Sequence, residues 1–182
     1  LEDPSVYGYF REEGGGLMAG LFEPVAAPWS LDGIPQNSAF TVLDPDLDRM
    51  MPYLTNALER IPSAQEATVR QFFCGPESFT PDLAPLVGEA PELKNFFVAA
   101  GLNSLGILQG GGIGRLLAHW IMEGVPDIDV TEINIDRFQK YQTNRTYRKD
   151  RTVEIVGEMY KIHLPNDTFE TARNVKRHVL HD

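Results

Sequence analysis

Residues 5–12 (SVYGYFRE) are dense in aromatic and β-branched side chains, and residues 17–23 (LMAGLFE) form a second such run after Gly14-Gly15-Gly16. Glycines supply the positive φ angles of a tight turn, so the two runs predict a β-hairpin. The following PVAAPWSLDGIPQNS carries three prolines and a glycine and predicts a loop. From residue 44 the period changes. In DPDLDRMMPYLTNALER, Leu47, Met50 or Met51, Leu54 and Leu58 recur at helical spacing, with Asp44 or Asp46 as N-cap. Pro52 either sits near the first turn or kinks the helix, and Pro62 follows its end.

Residues 66–74 (EATVRQFFC) read as a strand. GPESFTPDLAPLVGEAPEL cannot be regular throughout, with room for a short strand at Pro85-Leu86-Val87-Gly88. Phe96 to Ala100 is a buried-type strand. A glycine-rich stretch follows, then a helix from about Gly112 to Glu123, stopped by Gly124 and Pro126. DIDVTEINIDRF alternates and predicts another strand. Residues 136–151, with Arg137, Lys140, Arg145, Arg148, Lys149 and Arg151, read as a charged helix-like run, and the remaining tail has weak periodicity. A boundary is placed near residues 127–136.

The 182 residues are 42% hydrophobic and 23% charged, ordinary for a globular chain, and no run is long enough to span a membrane. A net charge of −10 argues against nucleic-acid binding. The lone cysteine, Cys74, excludes an intramolecular disulfide and fits a reducing compartment. Four histidines in no HxH or HExxH pattern make a metal site improbable. The chain opens directly on a strand pattern at Leu1, which is expected of a piece of a longer polypeptide or one chain of a complex.

The chemistry concentrates in GLNSLGILQGGGIGRLLAHW, residues 101–120, which holds six glycines in its first fourteen positions. Strand, glycine turn and helix N-terminus together favour an anion or an electron-rich ring oxygen, because the first helical N–H groups lack internal partners and carry partial positive charge. GGGIGR lacks the Lys-Ser/Thr pair of a phosphate loop, and no acidic residue stands where a dinucleotide fingerprint needs one. Close helix–strand packing also favours glycine and remains the structural alternative.

The long motif GPESFTPDLAPLVGEAPELKNFFVAAGLNSLGILQGGGIGRLLAHWIMEGVPDIDV resembles the C-terminal part of the flavin domain of sarcosine and dimethylglycine dehydrogenases, within the D-amino-acid-oxidase-like flavoproteins. YGYFREEGGGLMAGLFEPVAAPW with DGIP is similar to the preceding segment. DIDVTEINIDRF, YQTNRTYRKDR and MYKIHLPNDTFETARNVKRHVLHD resemble the start of the central domain that follows. The resemblance covers essentially the whole chain. It implies an α+β fold: an antiparallel or mixed sheet of the substrate-binding part, joined to a strand–glycine loop–helix of the FAD-binding part. Residues 1–127 would be the C-terminal part of the FAD-dependent domain. Residues 128–182 would lead to an aminomethyltransferase-like domain that this sequence does not contain.

The resemblance implies that Ser104, Leu105, Gly106, Ile107 and Leu108 meet the flavin's pyrimidine edge through their backbones. Gly110 to Gly114, Gly112 among them, would let the helix start close to the ring. Glu77 falls where amine-oxidising relatives bring a side chain above the reactive face; it either holds the substrate amine or caps a turn. Thr80-Pro81-Asp82 reads as turn chemistry. Tyr7, Tyr9 and Arg11 share one strand face, and in the family that sheet roofs the substrate pocket. Arg11 either clamps a substrate carboxylate or, beside Glu12 and Glu13, is solvated surface. In one respect the sequence departs from several amino-acid oxidases: no basic side chain stands within Ser104 to Leu108.

The function implied is FAD-dependent demethylation of sarcosine or dimethylglycine, a hydride passing from the N-methyl carbon to flavin N5. The resulting imine would be hydrolysed to formaldehyde or captured by tetrahydrofolate, which the absent C-terminal part would bind. The alternative is a non-catalytic regulatory relative resembling the regulatory subunit of pyruvate dehydrogenase phosphatase, and the third is a domain whose glycine loop only packs. FAD belongs to the parent protein, because this sequence lacks a GxGxxG and the flavin-attachment histidine of related dehydrogenases; alone it is expected to bind FAD weakly or not at all, and to be no catalyst. The expected partners are a small N-methylated amino acid, the rest of the polypeptide and a second copy through exposed strands, with no nucleic acid and no membrane. The location is cytoplasmic if bacterial and the mitochondrial matrix if eukaryotic, where the glycosylation patterns at Asn144 and Asn166 are idle. The 137–151 run is either an interface for the next domain or a solvated helix face.

Overall fold

The structure is a computed structural model and describes residues 1–165 and 167–171. Asn166, His178, His181 and the end of the tail lie outside the described residues. Along the chain run β1 (Glu2–Asp3), β2 (Gly8–Glu13), β3 (Gly16–Leu21), α1 (Leu47–Arg60), β4 (Leu86–Glu89), β5 (Phe97–Ala100), α2 (Gly106–Glu123) and α3 (Arg145–Tyr160), with short 3-10 turns between them. This is an α+β arrangement with small antiparallel sheets. Two compact units form: one from Leu1–Pro28, Asp46–Arg70 and Arg145–Asp182, the other from Trp29–Pro45 and Gln71–Asn144.

In the first unit the predicted hairpin is present. β2 and β3 pair from Gly8↔Leu21 to Glu13↔Gly16, and β1 adds along β2. Gly14 and Gly15 turn the chain with φ of 57° and 82°, the left-handed pair that a two-residue hairpin needs. Residues 5–7 are not strand: Pro4–Val6 make a 3-10 turn that Asp3 caps. Val6 and Phe10 are buried with Ala57 of α1, and Leu21 and Ile61 pack around them. Asp46 caps α1, its carboxylate accepting the Arg49 N–H at 3.0 Å. Pro52 stands at the sixth helical position and is exposed, so solvent can satisfy the Asp48 carbonyl that it leaves unbonded.

α3 is held against the segment after β3. The Ala26 N–H donates to the Val153 carbonyl at 2.8 Å, and the Phe22 and Tyr160 rings stack 3.5 Å apart. A Cβ on Gly157 would come within 2.6 Å of the Pro24 backbone, so only glycine admits this approach.

In the second unit β4 and β5 pair antiparallel, Leu86↔Ala100 to Glu89↔Phe97. Val87 is fully buried, and its N–H donates to the Ile133 carbonyl at 2.9 Å. α2 lies on this ribbon through Leu116 and through Trp120, whose ring meets Phe97 edge-on. Gly124 closes the helix in the left-handed conformation, its N–H donating to Trp120, as its sequence position predicts.

Five expectations are corrected. Residues 66–74 form no strand: a strand exists only as part of a ladder, and the one long-range backbone bond here among the described residues is the Leu43 N–H to the Cys74 carbonyl, with Phe73 largely exposed. Residues 127–138 are turns and a 3-10 segment (Ile135–Arg137) with a single parallel bridge at Val87↔Asn134. There the Asp129 carboxylate takes the Thr131 N–H and hydroxyl, a local bond that competes with extended backbone. The charged run is helical only from Arg145, after a 3-10 turn at Lys140–Thr143. β5 is half-buried to exposed rather than buried, and α2 begins at Gly106, six residues before the expected start.

Two glycine substitutions are expected to move stability in opposite directions. Gly157→Ala forces backbone apart and should cost about 1–3 kcal/mol. Gly111→Ala faces open space inside a helix and should add about 0.5–1 kcal/mol. Urea unfolding of each variant measures both.

Candidate functional site

After Ala100 the backbone enters the left-handed region three times in four residues, at Gly101 (φ 60°), Asn103 (49°) and Ser104 (67°). Gly101 has no substitute here, because a Cβ would lie 2.6 Å from the Thr80 Cγ2 methyl. Asn103 is 2% exposed, and its carboxamide is used from both ends. Its Oδ1 accepts the Thr80 N–H at 2.8 Å and its Nδ2 donates to the Gly101 carbonyl at 2.7 Å. Asparagine tolerates this conformation better than most residues, and Ser104 carries strain of roughly 1 kcal/mol.

The turn delivers the chain into α2. Leu105 is the N-cap position, and no side chain caps the helix. The Leu105 N–H closes onto Leu102 and the Gln109 N–H onto Leu105, so the N–H groups of Gly106, Ile107 and Leu108 between them have no partner among the described residues. The first turn of α2 has no acidic side chain to offset its dipole. Gly106 and Ile107, with Glu77, Gly101, Asn103 and Ser104, line an open cavity of about 420 Å³. At its edge the Ser104 hydroxyl donates to Glu77 Oε1 at 2.8 Å.

The structure thus brings Glu77, Ser104, Gly106 and Ile107 to one cavity, with Leu105 at the helix entry and Leu108 exposed on its first turn. Gly112 is the seventh residue of the helix, so its N–H belongs to the helical ladder. Gly110, Gly111, Gly112 and Gly114 all lie within α2 facing open space, so they do not form the helix start as expected. Tyr9 and Arg11 belong to the other unit. They share a strand face, paired to Gly20 and Met18. The Tyr9 ring covers Gly20, where a Cβ would fall 2.1 Å from it. Arg11 pairs with Glu13 at 2.8 Å and donates to Met18 Sδ, both charged side chains being about 60% exposed.

Sequence reasoning missed the residues that hold the turn. Asn103 had a usable signal, asparagine inside a glycine-rich turn. Thr80 was assigned to turn chemistry; its hydroxyl does close its own turn onto the Ala84 carbonyl at 2.8 Å, and its N–H reaches across to Asn103. Arg137 had no signal within a charged run. Its Nε and Nη2 grip both oxygens of Asp82 at 2.7 and 2.9 Å, and its remaining N–H groups donate to the carbonyls of Ala84, Pro85 and Asn134.

Burial pushes the Asp82 carboxyl up, but the Arg137 hydrogen bonds, the Ala84 N–H and the Arg137 charge together outweigh it and hold the group below its ordinary 3.8. A lowered folded pKa contributes stability that is complete above the unfolded value and lost as pH falls through the folded one. Acid unfolding of Asp82→Asn should therefore lose part of the parent's pH dependence below about pH 4. Gly101→Ala should open the turn at any pH, seen as lost amide protection across residues 101–109, at a cost of about 1–3 kcal/mol.

The model of the FAD dependent oxidoreductase family matches residues 1–120, and that of the FAD dependent oxidoreductase central domain matches residues 123–177. The chain is 43% identical to 4-methylaminobutanoate oxidase (formaldehyde-forming) of Paenarthrobacter nicotinovorans over 95% of this chain and 21% of that protein. It is 38% identical to mitochondrial sarcosine dehydrogenase of Mus musculus over 99% of this chain and 19% of that protein. It is also 33% identical to the mitochondrial pyruvate dehydrogenase phosphatase regulatory subunit of Mus musculus, over 96% of this chain and 20% of that protein. The chain spans about a fifth of the length of these relatives. Among the described residues no helix is long and apolar enough to cross a membrane. With a family model matching from Leu1 through Trp120 and relatives aligned along almost its full length, this chain belongs to the FAD-dependent oxidoreductase family.

Proposed function

We propose that this chain supplies the flavin-edge turn of an FAD-dependent amine oxidoreductase that removes a methyl group from an N-methylated amino acid, sarcosine or dimethylglycine first among them. The observation that carries the reading is the set of three N–H groups, at Gly106, Ile107 and Leu108, that have no partner among the described residues where α2 begins beside an open cavity. The pyrimidine edge of a flavin is a row of carbonyl oxygens and ring nitrogens, and donors without side-chain bulk suit it. The bound cofactor supplies the hydride acceptor. The chain's own part is electrostatic: fixed N–H donors and a helix dipole aimed where negative charge develops, with no reorganisation needed.

Glu77 supports the amine assignment. Its carboxylate stands at the cavity edge, oriented by the Ser104 hydroxyl, and can hold an ammonium through a charge-assisted hydrogen bond. No basic side chain lies within Ser104 to Leu108, so a substrate carboxylate is bound from outside the turn. The names of two relatives, an oxidase of 4-methylaminobutanoate and a dehydrogenase of sarcosine, share an N-methylated amino acid as substrate class. The remaining polypeptide would supply the dinucleotide pyrophosphate site and any tetrahydrofolate site. A second reading, a regulatory protein that keeps the fold without the reaction, is favoured by the similarity to the phosphatase regulatory subunit over nearly the whole chain.

The test is the visible spectrum of the full-length protein under anaerobic titration with sarcosine, dimethylglycine and 4-methylaminobutanoate. Flavin bands that bleach with one of them are expected. A protein purified without flavin, and unable to take it up, would instead support the regulatory reading. Glu77→Gln should lower kcat/KM for the amine by about 10- to 100-fold, with the flavin spectrum retained.

A further inference from the structure

Arg137 spends four of its five guanidinium N–H groups on the tight turn at Asp82–Pro85 and the fifth on Asn134. Two go to Asp82 and one to the Ala84 carbonyl at 2.8 Å; the others tie it to Pro85 and to Asn134. The same Ala84 carbonyl accepts the Thr80 hydroxyl at 2.8 Å. Thr80 then donates its N–H to the buried Asn103 carboxamide, and Asn103 donates to Gly101. Arg137 lies in the part matched by the central-domain model, whereas Asp82 to Gly101 lie in the part matched by the oxidoreductase model. A guanidinium fork is preorganised for such a task, and its side chain is only 13% exposed.

We propose that Arg137 is a positioning residue for the turn at residues 101–105, acting through the Ala84 carbonyl, Thr80 and Asn103. The central-domain segment thereby sets the angle at which the free N–H groups of Gly106 to Leu108 leave the sheet. Its consequence at the cofactor rests on the flavin-edge reading above; its consequence for the turn does not. Replacing the fork frees the Thr80–Ala84 turn, and the left-handed residues after Gly101 lose the contact that holds them.

The experiment is amide hydrogen exchange by mass spectrometry on the full-length protein produced in a riboflavin-starved host so that it carries no flavin, comparing Arg137→Lys, Thr80→Val and the double variant with the parent sequence. Each single variant is expected to speed exchange in residues 101–109 by about tenfold while residues 113–123 change by less than about twofold. The double variant should be no faster than the faster single one, because the two lie on one path. Unchanged exchange at 101–109, equal acceleration of both segments, or multiplying effects overturns the proposal. Adding FAD to the parent should then protect residues 104–108, and Arg137→Lys should shift the bound flavin's visible bands. Absent protection overturns the flavin-edge reading alone. Protection with bands that Arg137→Lys leaves unmoved overturns the role of Arg137 at the cofactor.

Discussion

The Asn103 carboxamide, sealed from solvent between the Thr80 N–H and the Gly101 carbonyl, holds backbone that would otherwise relax out of the left-handed region. A buried amide of this kind acts in two ways. It satisfies main-chain groups that water cannot reach, and it fixes the spacing of the two segments that it joins. Gly101 completes the arrangement by letting the Thr80 methyl sit where a Cβ would be. With that contact made, the chain enters α2 so that its first three helical N–H groups have no partner among the described residues, and Gly106 and Ile107 line the cavity with Glu77.

The glycines of α2 have a different meaning from the one their clustering suggests. Gly110, Gly111, Gly112 and Gly114 sit inside a helix, each costing up to about 1 kcal/mol relative to alanine, with nothing packed where their side chains would be. The residues that shape the site are the turn residues before the helix, where conformation and close approach admit few side chains. Ile107 and Leu108, fully and largely exposed at the helix start, lie next to the free donors, so the same turn offers both polar main chain and apolar side chain to whatever occupies the cavity.

Local chemistry was readable wherever the signal was local. The Gly14-Gly15 hairpin, the Asp46 cap and the Gly124 stop each depend on residues within a few positions, and each is present. The pattern failed where pairing decides. EATVRQFFC has strand composition but no ladder, and DIDVTEINIDRF alternates but is turned by its own Asp129 and by bonds to the Val130 carbonyl. Of the candidate site, Glu77 and the 104–107 backbone were legible through a resemblance to whole motifs, not through spacing. Asn103 left a local signal, asparagine inside a glycine-rich turn, but its bond to Thr80 and the grip of Arg137 on Asp82 span 23 or more positions and left none.

By itself, then, the sequence determined the family, the α+β character, the hairpin and the presence of a turn that demands glycine. The family and the α+β character follow from resemblance to long motifs, the hairpin and the turn from side-chain type and contacts a few residues apart. Only the tertiary structure decided where α2 begins, which of the glycines must be glycine, and that Arg137 reaches back to the turn at Asp82. Helix starts and close approaches are set by the atoms across the gap, and those belong to residues that the chain brings together only by folding.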